Sequence, residues 1–173
     1  MQKRGVERRR AMVDAAIELF GRHGYAATGV AAVAERAGVT PSAVIHHFGS
    51  KDNLLQAVLD EFDARAAARL GAVPETLDDL KAALLADADH TMRHRGLATL
   101  HAVLQAEHLA RPGGVRERFL RRNRVLRRAF ARFLDEDRAA ELVAFLEGAL
   151  VLWLLDPEAV DLRALYGNYL RRL

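Results

Sequence analysis

The chain has 173 residues, 51% of them hydrophobic and 28% charged, with 4 prolines and no cysteine. That length suits one sizeable core or a small module on a larger one, the composition favours ordered helices over disorder, and the missing thiols exclude disulfide frameworks and thiolate metal sites. The net charge of +3 is uneven: residues 1 to 51 carry eight Lys and Arg against four acids, and the rest carry 18 against 19. A basic end on a balanced remainder points to a polyanion partner for the first part, with a merely solvated basic tail as the alternative.

The start, MQKRGVERRR, runs into AMVDAAIELFG with Asp14 and Glu18, so nothing there reads as a signal peptide and a cytoplasmic protein is expected. Its Lys3, Arg4, Arg8, Arg9 and Arg10 form an arm suited to sequence-independent phosphate contact or to a minor groove. From Val6 to Phe20 apolar positions follow a helical period, with Gly21 and Gly24 as stops. Val30, Val33, Ala34 and Ala37 then mark a short helix that ends at Gly38. Thr40 caps a third helix with Pro41 in its favoured first position. Ser50 caps a fourth, running through Leu54, Leu55, Val58, Leu59 and Phe62 to about Leu70.

Gly71 and Pro74 mark a break, and Thr76 or Asp78 caps a helix that reaches His94, where Gly96 interrupts. The next helix carries Leu97, Leu100, His101, Leu104 and His108 on one face and stops at Pro112, Gly113 and Gly114. Val115 to Leu134 is an arginine-rich amphipathic helix whose basic face reads as a solvated surface rather than a second nucleic-acid contact. Glu136 to Leu155 and Glu158 to Leu173 form the last two. The apolar run at 142 to 155 includes Glu147 and falls short of the roughly 20 residues that cross a bilayer, so it reads as a buried helix and no membrane partner is expected. The fold class is all-α: a three-helix head over 1 to 50, a connecting helix over 51 to 71, and a helical second domain over 72 to 173.

The short second helix, the tight Gly38-Val39 turn and the capped third helix make a helix-turn-helix, which lays its last helix in a major groove. On that helix Pro41, Ser42, Ile45 and His46 project outward, whereas Ala43, Val44 and in part His47 and Phe48 lean inward. His46 and His47 do not form a metal pair, because adjacent helical positions diverge by roughly 100°. A half-buried packing role for His47 is the competing reading.

The run GRHGYAATGVAAVAERAGVTPSAVIHHFGSKDNLL, residues 21 to 55, closely resembles the amino-terminal domain of the TetR (tetracycline-repressor-like) family of transcription regulators. The resemblance implies that Thr40, Pro41, Ser42, Ile45 and His46 face bases or the adjoining backbone, while Thr28, His47 and Lys51 hold phosphates. Two positions depart from the pattern. Ile45 stands where many members have tyrosine, leaving an apolar contact to a thymine methyl, and Gly29 stands where they have serine or threonine, leaving a cap without a side-chain oxygen.

In the second domain, Val143, Leu146, Leu150 and Trp153 make one apolar stripe, and Leu162, Leu165, Tyr166 and Tyr169 another. Paired across a twofold axis they form a four-helix interface, the homodimer that the resemblance implies; closing the monomer core is the alternative use. Gly148 would permit close helix approach. A dimer binds double-stranded DNA at an inverted repeat. The resemblance further implies a small-molecule effector among the middle helices, and Leu97, Leu100, His101, Leu104 and His108 are the candidate pocket. His90 and His94 are an i, i+4 pair with metal-ligand spacing, for which a structural role is the simpler reading. No catalytic constellation, metal site or cofactor is expected, and no Glu-x-x-His pair occurs. The expected function is a ligand-responsive repressor. A constitutive DNA-binding dimer without effector, an activator and a helical-bundle metal enzyme are the alternatives.

Overall fold

Caps and glycine turns set the helix boundaries between Gly24 and Ser50. The computed structural model describes residues 2–70, 73–110 and 113–173, with side chains described for 5–64, 73–110 and 113–173. The Lys3 and Arg4 side chains of the arm, the Gly71 break and Pro112 lie outside the described residues. Among the described residues the elements are α1 (Gln2–His23), α2 (Val30–Arg36), α3 (Pro41–Phe48), α4 (Lys51–Leu70), α5 (Leu77–Arg93), α6 (Arg95–His108), α7 (Gly114–Phe130), α8 (Glu136–Leu155) and α9 (Leu162–Leu170), with no strand. The fold is all-α.

The turn into α3 is built from two backbone bonds, Gly38 N to Glu35 O at 3.1 Å and Val39 N to Ala34 O at 2.9 Å, with Gly38 at φ 67°. That left-handed conformation is accessible to glycine without strain. Thr40 then accepts from the Ala43 amide at 3.2 Å, satisfying one of the orphan donors of α3. Further along, Thr76 and Asp79 form a reciprocal capping box on α5, and Asp135 caps α8 through the Arg138 amide at 2.8 Å.

Several boundaries differ from the sequence reading, among them the ends of α7, at Phe130 rather than Leu134, and of α9, at Leu170 rather than Leu173. Helix α1 does not stop at Gly21 but continues to His23, because Gly21 is used inside the helix for close packing and the turn falls at Gly24, φ 82°. Helices α5 and α6 meet at one non-helical residue, His94, and Gly96 lies within α6. The last helix begins at Leu162 rather than Glu158, since the Asp161 carboxylate caps the Ala164 amide at 3.0 Å and so fixes the first turn.

The chain packs into two cores. One joins α1 to α4 around Met12, Phe20, Val44 and Leu55, and it also takes Leu100 and Leu104 from α6 and Val115 from α7. The other joins α5 to α9 around Leu142, Trp153 and Leu162. Burying side chains such as Leu100 and Leu104 contributes about 1.5–3 kcal/mol each. Helix α6 therefore fastens the head to the rest: one face fills the core of the head, and the other, through Ala98, enters the second core.

Candidate nucleic-acid interface and effector cavity

Helix α3 buries Val44 and Phe48 and leaves Thr40, Pro41, Ser42, Ile45, His46 and His47 exposed. Thr40 caps its amino end and Gly49, at φ 79°, ends it. Thr40 and Ser42 hydroxyls lie 2.9 Å apart, so their orientations are linked. His47 is exposed rather than half-buried, its ring edge toward Phe48 at 6.4 Å between centroids. The Arg9 guanidinium lies 5.5 Å above the Phe48 ring, which ties the end of α3 to the arm-bearing helix.

Behind this face, Lys51 places its ammonium 4.3 Å above the Tyr25 ring and 3.5 Å from the Ala26 carbonyl oxygen. The Tyr25 hydroxyl donates to Asp52, and it is held far above its ordinary pKa, first by burial and then by the Asp52 carboxylate. Lys51 is thus oriented by the protein before any phosphate approaches.

Thr28 corrects the sequence reading. It is only 4% exposed, its hydroxyl donates to the Gly24 carbonyl at 2.8 Å and to Leu19 at 3.3 Å, and its amide donates to Tyr25 at 3.3 Å. Both donors are spent closing the end of α1, so Thr28 supports the interface from within instead of gripping phosphate.

The second domain and the end of α4 line a partly open cavity of about 250 Å³, walled by Leu80, Leu84, Leu126, Phe130, Val143 and others from α4 to α9. Of the expected pocket residues, Leu97 and His101 line it. Leu100 and Leu104 do not: at 0% exposure they face α1, because α6 turns that stripe toward the head. His108 bonds the Leu104 carbonyl at 2.8 Å and opens on a separate, smaller recess with Arg116 and Leu120.

The polar wall of the cavity was not visible as a unit in the sequence. Glu147 receives Arg122 at 3.1 Å and stands 3.6 Å from His101 Nε2. Burial opposes the charge of Glu147, but the neighbouring His101 imidazole and the Arg122 guanidinium outweigh it and hold the carboxyl below its ordinary value. The His101 ring stacks on Phe62 of α4 at 5.7 Å and meets the edge of Phe119 at 5.2 Å. Arg118 binds both Asp60 and Asp63, fastening α7 to α4. His90 and His94 line the same cavity with rings stacked at 4.0 Å. Among the described residues, no group of three or more His, Asp or Glu is placed to hold a metal.

The expected dimer stripes are also corrected. Val143, Trp153, Leu162 and Tyr166 are buried inside the protomer, and Leu146 and Leu150 line the cavity. Leu165 and Tyr169 are half-buried, the latter stacked on Phe145 at 4.0 Å. Closing the second core and the cavity consumes these faces. What α8 leaves outside is a different stripe: Ala144 and Gly148 exposed, Val151 47%, Leu152 49% and Leu155 79% exposed. Among the described residues nothing outside the helix's own turn approaches within 4 Å of a Cβ position at Gly148. Among the described residues, no helix is long and apolar enough to cross a membrane.

Comparison with known proteins fits this arrangement. The model of the bacterial regulatory proteins, tetR family, matches residues 12–58, which span most of α1, all of α2 and α3 and the start of α4. The HTH-type transcriptional regulatory protein RaaS of Mycobacterium tuberculosis is 46% identical over 45% of this chain, a match that spans 31% of that protein. The HTH-type transcriptional regulator BetI 1 of Chromohalobacter salexigens is 28% identical over 93% of this chain and 87% of its own length. The solved structure of SmeT, the repressor of the Stenotrophomonas maltophilia multidrug efflux pump SmeDEF, superposes with a TM-score of 0.72 at 25% identity, covering 94% of this chain and 86% of that one. Residues 12–58 therefore carry the match to the tetR family of bacterial regulatory proteins, and over nearly its full length the chain is similar to HTH-type transcription regulators.

Proposed function

We propose that the protein acts as a homodimeric repressor that binds an inverted-repeat operator and is released by a small molecule held in the cavity of the second domain. The observation that carries this reading is the sharing of α4 and α6 between head and cavity. Helix α4 sets Leu54, Leu55, Val58 and Leu59 in the core of the head while Phe62 and Asp63 line the cavity. Helix α6 sets Leu100 and Leu104 against α1 while Leu97 and His101 line the same cavity. A ligand that binds one arrangement of these helices better than another shifts the position of α3, and only that difference in affinity does work on the DNA.

Ser42, Ile45 and His46 supply base contacts, with Ile45 against a thymine methyl, and His47 and Lys51 supply phosphate contacts. Thr40 and Pro41 adjoin the backbone at the positive end of α3. The exposed Ala144, Gly148, Val151, Leu152 and Leu155 stripe of α8 meets its twofold copy, with the small residues allowing close approach. Repression is supported by the described function of SmeT. A dimer without effector has less support, since the cavity gives an effector somewhere to bind.

The test is selection of fragments from the source genome at low salt, followed by titration. Retained fragments should share an inverted repeat, bind two chains per site and lose affinity steeply with salt. Retention of no fragment would overturn the reading.

A further inference from the structure

We propose that the cavity selects an uncharged, largely apolar molecule carrying one hydrogen-bonding group, which meets the Tyr166 hydroxyl. This rests on the cavity being the effector site. The starting observation is that the charges around the cavity are already answered by the protein. Glu147 is engaged by Arg122 at 3.1 Å and lies 3.6 Å from His101. Asp63 is bound by Arg118, and Asp87 and His90 also have interactions of their own. The His94 Nδ1 stands 2.9 Å from the His90 carbonyl oxygen.

A charged ligand would have to leave water and break one of these pairs to find a counter-ion. Moving a charge out of water without a partner is costly, and taking one member of these part-exposed pairs leaves the other without its counter-ion. An anion would also meet Glu147 and Asp87, and a cation would meet Arg122. The wall therefore works against both signs.

Tyr166, like Thr91, brings an uncharged hydroxyl to the cavity. It lines the cavity at only 6% exposure, and its hydroxyl has no hydrogen-bond partner among the described residues. Burial first, then the charges of Asp87 and Glu147, keeps this hydroxyl protonated. It therefore remains both a donor and an acceptor. A cavity-facing hydroxyl without a protein partner can bond an alcohol, phenol, ester or amide oxygen without bringing charge to the site. Around it Leu80, Leu84, Leu126, Phe130 and Val143 offer only apolar contact, and a cavity of about 250 Å³ limits the body to something small.

The experiment uses four compounds on one skeleton: 4-phenylbutan-1-ol, butylbenzene, 4-phenylbutan-1-amine and 4-phenylbutanoate. Each is titrated into the full chain without DNA by calorimetry at pH 7. The alcohol should bind tightest, about tenfold tighter than butylbenzene, with the amine and the carboxylate at least about tenfold weaker than the alcohol. In Tyr166→Phe the alcohol should lose its advantage, while butylbenzene binds as before and so reports an intact cavity. If that variant does not fold, the ranking on the native chain decides. Tighter binding of the amine or the carboxylate, an alcohol advantage that survives Tyr166→Phe, or no binding of any of the four would overturn the proposal. The effector reading is tested separately: an alcohol that binds as ranked yet leaves the operator complex unchanged would overturn release by ligand and leave the Tyr166 assignment standing.

Discussion

A Cβ on Gly21 of α1 would lie 2.7 Å from the carbonyl oxygen of Gly96 on α6, so the two helices touch backbone to backbone. Gly96 is flanked by His94 and Leu97, both on the cavity wall, and Gly21 lies in the helix that carries the head. Alanine is about 1 kcal/mol better than glycine inside a helix, yet the obstacle here is backbone and cannot rotate away. Gly21→Ala should therefore lower stability by about 1–3 kcal/mol, read as a lower urea midpoint with an unchanged slope. An unchanged or higher midpoint would mean that α1 and α6 are further apart.

The buried Thr28 hydroxyl and the exposed α3 side chains should separate in two different assays. Thr28→Val removes bonds to the Gly24 and Leu19 carbonyls and should cost about 1 kcal/mol of stability. His47→Ala should instead leave stability near native and weaken DNA binding similarly on every sequence. Ser42→Ala and His46→Ala should change which bases are preferred. Binding to a randomised site library, alongside denaturation of each variant, distinguishes these outcomes.

Glu147 makes the protein sensitive to acid in a definite direction. Its folded pKa lies below its ordinary value of 4.5, so the charged form is favoured by folding. The stabilisation is fully present above the unfolded value and is lost as pH falls through the folded one. Glu147→Gln should lower stability by about 1–2 kcal/mol near neutrality, and the gap from native should shrink below pH about 4.5. Denaturation at a series of pH values measures it; a gap that widens on acidification would refute the pairing with Arg122 and His101.

Gly148→Arg probes the outer stripe of α8. Because nothing among the described residues outside its own helical turn lies within 4 Å of its Cβ position, the fold should tolerate the change. Across a twofold axis two guanidinium groups would meet, and sedimentation should show monomers at concentrations where the native chain is dimeric.

Local signals were read well from the sequence, and meetings between distant helices were not. The span of α8, Glu136 to Leu155, was legible as an apolar run that stops before Pro157, and the helix-turn-helix follows from Gly38, Thr40 and Pro41. Periodicity also marked Val143, Trp153, Leu162 and Tyr166 as apolar faces, but a stripe does not say whether it will meet its own chain or a second one. Arg122, Glu147, His101 and Tyr166 stand on four helices, and only their packing brings them to one cavity. Thr28 shows the same limit at short range: a hydroxyl near a helix start looks available until the fold turns it toward the end of α1.

The most direct measurement is hydroxyl-radical footprinting of the native chain and His46→Ala on a genomic fragment retained at low salt. Two protected half-sites should appear, related by a twofold axis and centred about one helical turn or a multiple apart, with two chains bound and with base preference changed in the variant. A single unpaired footprint, or protection that ignores sequence and is unaffected by His46→Ala, would contradict a dimer that reads an inverted repeat through α3.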